Sequence, residues 1–239
     1  MKPFNPFKWG DAFTEGNSWH YSWSVFHDIQ GLIDLMGGKE KFNAQLNKVF
    51  SLPPKFDDSY YGGVIHEIRE MQISNMGQYA HGNQPIQHMI YLYNYAGEPW
   101  KAQSRAREVM EKLYNSTENG YPGDEDQGQT SSWYVLSALG FYSVTPGTDQ
   151  YVIGSPVFEK ATIALEDGRK FVIDAENNNK ENVYIQSASV NRQSYTHNFI
   201  RYKDISEGGN LKFKMSDQPN KKRGLKSEDK PFSLSKNKI

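Results

Sequence analysis

Cysteine is absent from all 239 residues, which excludes disulfides, thiolate metal centres and a cysteine nucleophile while leaving the compartment open. An excess of one charge sign is missing too. With 27 basic and 28 acidic residues the net charge is -1 at pH 7, so nothing favours nucleic acid or an acidic membrane surface as a partner. No run of eighteen apolar residues occurs, so no segment reads as a membrane span. The opening Met1-Lys2-Pro3-Phe4-Asn5-Pro6 lacks the apolar stretch of a signal peptide, and an exported protein is expected to carry its signal outside these residues.

Aromatic residues, by contrast, are plentiful: 15 Tyr, 13 Phe and 5 Trp. Together with the aliphatics they supply a core, although the mean hydropathy of -0.76 is polar for a globule. Flat rings with polar handles suit pyranose faces and ordinary core packing equally well. The length allows one large domain or two modest ones.

Residues 1–142 read as helical. Asn17 or Ser18 is a plausible N-cap for an aromatic helix over 18–26. Helices follow over 28–36, with Ile29, Leu32, Ile33 and Met36 on one face, and over 39–50, with Phe42, Leu46, Val49 and Phe50 inward. Residues 51–78 form a long, lid-like connection. Pro85 fits the first turn of a helix over 86–95, and Gly97-Glu98-Pro99 leads into another over 100–114. A last helix spans 131–139 and ends at Gly140. Residues 143–220 change character, with five short alternating segments and the hairpin signal Asp167-Gly168, and are expected to form an antiparallel, sandwich-like β unit. Residues 221–239 carry seven basic and two acidic side chains and read as a solvated, disordered end.

Three loops stand out: Thr14-Glu15-Gly16-Asn17, His81-Gly82-Asn83-Gln84-Pro85 and Gly123-Asp124-Glu125-Asp126-Gln127-Gly128. Each feeds an aromatic helix, and repeated helical hairpins place the N-termini of their inner helices at one end. If the hairpins close into a toroid, Glu15, His81, Asn83, Asp124 and Asp126 converge on one mouth. The acidic loop can be an N-terminal capping cluster or hold a general base, since the helix start favours ionised carboxylates. Paired carboxylates are the minimum kit for glycoside hydrolysis, one protonating the leaving oxygen and one activating water. Glu15, beside an aromatic loop, could sit partly desolvated as an acid must. Asp124 and Asp126 alternate around Glu125, so one can act as base and the other orient it.

FTEGNSWHYSW, HDIQGLIDLMGG, GQYAHGNQP, YLYNYAGEPWKAQ, PGDEDQGQTSSWYVLSALGFYSVTPG and YVIGSPVFEKATI, in this order, resemble glycoside hydrolase family 92, the calcium-dependent exo-α-mannosidases. The resemblance runs from about residue 10 to residue 220. It implies an α+β multidomain enzyme whose helical hairpins form part of an (α/α)6 toroid, and an inverting, single-displacement mechanism. Glu15 then falls on the general acid, and Asp126 with Asp124 on the base pair, roughly 6.5–9.5 Å away as inversion requires. His66-Glu67 matches a pair that contacts the leaving-group sugar in the α-1,2-specific branch; an exposed polar pair in a lid is the alternative. His81, Asn83 and Gln84 are candidate substrate contacts, His81 being equally readable as a satisfied structural histidine. Glu70 and Asn83 are candidate Ca2+ ligands. The family pattern has Glu where this chain has Gln84, and its members are about three times longer. The resemblance therefore implies a C-terminal portion of an exported enzyme, partnered by an N-terminal β-sandwich domain and acting on mannose-containing N-glycans. The competing readings are another inverting six-hairpin glycosidase and a non-catalytic carbohydrate-binding module.

Overall fold

In the computed structural model, residues 3–237 are described, and helices precede strands as expected. Asn17 caps α1 (Ser18–Tyr21), accepting from the Trp19 N–H, while His20 completes a reciprocal capping box. This helix lasts a single turn, not the nine residues expected. Asp28 caps α2 (Ile29–Leu35), and Gly37-Gly38, at φ +85° and +103°, turn the chain into α3 (Lys39–Ser51). The long connection contains its own helix, α4 (His66–Ser74), closed by Asn75 in the left-handed region. Pro99 starts α5 (Pro99–Leu113), and Gly128 and Gly140 bound α6 (Gln129–Leu139).

The expected α-helix over 86–95 is instead two 3-10 turns, Gln84–Ile86 and Met89–Asn94. Residues 86–96 are all buried, so no solvent face imposes a 3.6-residue period on them. This segment lies against α5, α2 packs on α3, and α5 meets α6. The helical core gathers Trp23, Phe42, Leu46, Tyr79, Tyr91, Tyr93 and Trp133, all fully buried.

The β unit is mixed. One antiparallel sheet has the order β1-β2-β7 (Phe141–Tyr142, Gln150–Ile153, Phe199–Arg201). The second has the order β3-β4-β8-β5-β6 (β3 Lys160–Ala164, β4 Lys170–Glu176, β5 Tyr184–Val190, β6 Gln193–Ser194, β8 Gly209–Ser216). The β3–β4 hairpin turns at Gly168, φ +85°. The expectation of a wholly antiparallel unit fails at β4 and β8, which pair in parallel with Phe171 opposite Gly209. The connection between them crosses over through β5–β7 and α7 (Tyr202–Ser206), which permits parallel pairing. Phe141, Ile153 and Ile200 of the small sheet share one apolar core with Phe171, Ile173, Leu211 and Phe213 of the large one.

The basic tail is anchored at several buried points, although Lys221, Lys222 and Lys226 are exposed; residues 238 and 239 lie outside the described residues. Arg223 is buried and donates to Asn198 Oδ1 (3.2 Å) and to the Tyr195 and His197 carbonyls (3.3 and 3.1 Å). Buried Asp229 accepts from the Thr196 hydroxyl at 2.6 Å. Ser233 and Ser235 then reach α2 and donate to the Asp28 carboxylate at 2.7 and 2.5 Å. Charge counting does not reveal these anchors because Arg223 and Asp229 find buried partners elsewhere in the chain.

Candidate active site

The loop containing Gly82-Asn83-Gln84 lies between the other two and grips both. Asn83 Nδ2 donates to the Glu15 carbonyl at 2.6 Å, and Gln84 Nε2 donates to the Asp124 carbonyl at 2.9 Å and to Thr130 Oγ1 at 3.2 Å. Gly82 and Gly123 meet backbone to backbone: a Cβ on Gly123 would lie 2.2 Å from the Gly82 carbonyl oxygen. Only residues without side chains permit this approach.

The acid candidate Glu15 adopts φ +50°. Its N–H donates to the Tyr61 hydroxyl at 2.9 Å, and the Tyr21 hydroxyl donates to the preceding Thr14 carbonyl at 2.5 Å. Beneath it, Asn17 Nδ2 donates to Gln78 Oε1 at 3.2 Å, and His20 spans the Asn17 N–H and the Gln78 carbonyl at 3.0 and 2.7 Å. Glu15 itself is exposed rather than partly desolvated as expected, because its turn projects from this buried anchor. Asp124 and Asp126 are exposed as well, and Asp126-Gln127-Gly128 run at φ +52°, +58° and +94°. Asp126 borders a cavity of about 620 Å³ that Gln84, His88, Gln129 and Tyr142 also line.

Helix α4 carries the acceptors that face these loops. His66 Nδ1 lies 3.1 Å from Glu70 Oε1, and its Nε2 lies 3.0 Å from Glu67 Oε1 and 3.7 Å from Asp124 Oδ2. Burial alone would lower the His66 pKa, but the hydrogen bond to Glu70 and the charges of Glu67, Glu70 and Asp124 outweigh it and raise the value. Glu67 is buried, and desolvation raises its pKa against the opposing pull of its backbone hydrogen bond and His66; Glu15 adds to the rise. Its Oε2 is buried without a hydrogen-bond partner. An acceptor in that state is suited to a ligand hydroxyl.

His81 follows the second of its two readings, the satisfied structural histidine. His81 has no free ring nitrogen for a sugar: Nδ1 meets the Tyr79 hydroxyl at 2.7 Å and Nε2 the Tyr114 hydroxyl at 2.8 Å. It packs edge-on against Trp133, and burial lowers its pKa to about 3. Glu70 and Asn83 are by themselves too few for a calcium site. Calcium takes six to eight oxygens. Glu70 Oε1 lies against His66 while its Oε2 is buried beside Gly82 without a hydrogen-bond partner, and the Asn83 amide nitrogen donates to Glu15, which does not occupy its Oδ1. Among the described residues, no group of three or more His, Asp or Glu is arranged to hold a metal ion. Sequence reasoning also missed Tyr61 and Tyr21. Nothing in the spacing marked Tyr61, whereas the four-residue interval from His66 to Glu70 on a helix could have announced that pair.

Comparison with known proteins places this geometry in context. Residues 1–217 match the family model for the glycosyl hydrolase family 92 catalytic domain. The chain is 51% identical to an inverting GH92 mannosidase of Bacteroides thetaiotaomicron, with a TM-score of 0.85, over 98% of this chain and 32% of that one. A GH92 α-mannosidase from the same bacterium, solved with mannoimidazole, is 34% identical with a TM-score of 0.87, over 98% of this chain and 31% of that one. An uncharacterized secreted glycosidase of Arthroderma benhamiae is 30% identical over 223 residues, 92% of this chain and 26% of that protein. The chain thus spans a third or less of the length of these relatives.

Proposed function

The chain belongs to glycosyl hydrolase family 92, and on that premise we propose that it supplies the acid, base and leaving-group contacts of a longer, inverting exo-α-mannosidase. In this reading Glu15 protonates the departing glycosidic oxygen. Asp126, oriented with Asp124, takes a proton from water attacking the opposite face of the sugar. His66 and Glu67 meet the leaving sugar, with the unpartnered Glu67 Oε2 as acceptor for one of its hydroxyls, which favours α-1,2-linked mannosides of N-glycan type. The observation that carries the reading is the double grip of the central loop: Asn83 on Glu15 and Gln84 on Asp124. These two contacts tie the Glu15 and Asp124 backbones, 109 residues apart in sequence, to one central loop, which supports reading Glu15 and the Asp124/Asp126 pair as members of one site.

Calcium dependence, implied by the family resemblance, belongs to the same reading. Among the described residues no group of three or more His, Asp or Glu is arranged to hold the ion, and no step is assigned to it. Closure of the helical hairpins into an (α/α)6 toroid, partnership with a β-sandwich domain and an exported location are likewise part of the proposal.

The test is mannose release from α-1,2-mannobiose, with and without a calcium chelator, followed by proton NMR. It is run on residues 1–239 and on the chain extended upstream through any in-frame coding sequence. Chelator-sensitive release of β-mannose by the extended form alone is expected. An α-configured first product would sink the inverting assignment. Binding of mannosides without turnover in the extended form would favour a carbohydrate-binding module.

A further inference from the structure

Glu15 occupies the left-handed backbone region at φ +50°, where an L side chain is strained. Such a conformation persists only where its surroundings over-determine it. Here both backbone polar groups of Glu15 are held, the N–H by the Tyr61 hydroxyl at 2.9 Å and the carbonyl by Asn83 Nδ2 at 2.6 Å. The flanking carbonyls are held as well: Thr14 by the Tyr21 hydroxyl at 2.5 Å, and Gly16 by the Gly10 N–H at 3.0 Å. The turn is therefore fixed atom by atom from separate parts of the chain.

Tyr61 differs from the other holders. It comes from the connection between α3 and α4, outside the loops that carry the acid and base candidates, and the polar contact of its hydroxyl is to the acid's own N–H. Its ring is itself fixed. Tyr60 meets it edge-on, with centroids 5.1 Å apart at 87°, and Gly10 leaves the space both rings fill. A Cβ on Gly10 would lie 2.2 Å from Tyr60 Cδ1 and 2.9 Å from Tyr61 Cε2. A clamped ring carrying one hydroxyl at hydrogen-bond distance from a strained catalytic turn is a preorganised support.

We propose that Tyr61 is a positioning residue for the general acid: its hydroxyl holds the Glu15 N–H and so maintains the turn that aims the Glu15 carboxyl at the leaving oxygen. This rests on Glu15 being the acid. A positioning role of this kind matters only when the leaving group needs a proton.

The test is Tyr61→Phe in the turnover-competent form, assayed on α-1,2-mannobiose and on 2,4-dinitrophenyl α-mannoside, whose leaving group departs without protonation. Losing one hydrogen bond to the turn predicts a five- to tenfold fall in kcat on mannobiose, at unchanged KM and unchanged melting temperature. On the activated substrate the fall is less than twofold. In residues 1–239 alone, amide hydrogen exchange at Glu15 accelerates at least tenfold, while the Gly10 amide is unaffected. Equal losses on the two substrates, or an unmoved Glu15 amide, would overturn the proposal. Glu15→Gln in the same assays separates the two ideas. If it keeps mannobiose turnover, Glu15 is not the acid and the catalytic role falls. The exchange measurement then still decides whether Tyr61 holds the turn.

Discussion

Substituting Gly123 with alanine tests the contact on which the whole arrangement depends. Two penalties apply. At φ +70° an alanine is strained by about 1–2 kcal/mol. Its Cβ would also lie 2.2, 2.7 and 2.8 Å from the Gly82 oxygen, Cα and carbonyl carbon, all backbone atoms that cannot rotate away. Forcing the two loops apart adds about 1–3 kcal/mol. Two control glycines separate these effects. Gly62 has the same strain, φ +69°, but nothing within 4 Å of the added Cβ. Gly63 also faces open space and lies outside the left-handed region. Urea unfolding followed by tryptophan fluorescence should therefore rank the variants clearly. Gly63→Ala should lie within about 0.5 kcal/mol of the parent and Gly62→Ala about 1–2 kcal/mol below it. Gly123→Ala should fall about 2–5 kcal/mol below, with a melting temperature lower by roughly 5–15 °C. If Gly123→Ala matches Gly62→Ala, the acidic loop does not rest on Gly82 in solution, and the convergence of the three loops loses its support.

Three further outcomes follow from the same geometry. Burial lowers the pKa of His20 and His88 to about 4 and that of His81 to about 3. The unfolded chain therefore binds protons below pH 6.5 that the folded chain refuses, and stability falls as pH drops from 6.5 towards 4. The slope approaches about 1.4 kcal/mol per pH unit for each histidine. His66, whose pKa is raised, contributes its full stabilisation below pH 6.5 and loses it as pH rises through its folded value. Urea midpoints at pH 7, 6 and 5 check this, and a flat profile would refute it. Gln84→Glu removes the donor that bonds the Asp124 carbonyl and Thr130, and should cost about 1–2 kcal/mol in the same assay; a neutral or stabilising effect would show that Gln84 does not hold the acidic loop. At Asp28, burial would raise the pKa, but hydrogen bonds from Ser235, Ser233 and Gly31 hold the carboxyl well below the usual carboxylate range. Its contribution is complete above pH 3.8 and is lost as pH falls through the lower folded value. Asp28→Ala should cost about 2–3 kcal/mol at pH 7 through the lost cap and tail contacts. Failure of the Ser233→Ala/Ser235→Ala double variant to reproduce most of that loss would show that the tail is not anchored there.

Where local chemistry decides the backbone, the sequence was legible. Asp28 and Pro99 start helices, Gly140 ends one, and Asp167-Gly168 turns a hairpin, because capping and positive φ are properties of single residues. Where a choice depends on distant partners, it was not. Residues 86–95 have no exposed face to display a period, and β4 pairs in parallel with a strand 33 residues after its own last residue. The tail is ordered by Asn198, Thr196 and Asp28, none of them near it in sequence. The same division runs through the candidate site. Glu15, Asp124 and Asp126 were visible from their loops, whereas the support from Tyr61 and the closed pairing of His81 with two tyrosines are tertiary facts.

Family resemblance alone does not explain why the central loop contains the run Gly82-Asn83-Gln84; its contacts do. Each residue addresses a different neighbour: the glycine admits the backbone at Gly123, the asparagine donates to Glu15, and the glutamine donates to Asp124. The two amides bind main-chain carbonyls, so they set the positions of the acidic residues without neutralising a carboxylate. Lysine or arginine in those places would also reach carbonyls, but would put a cation beside the groups proposed to exchange protons. Neutral donors keep geometry and charge independent. The proposed acid/base pair, drawn from two separate loops, would need that separation, because its spacing has to stay constant while its members change protonation state.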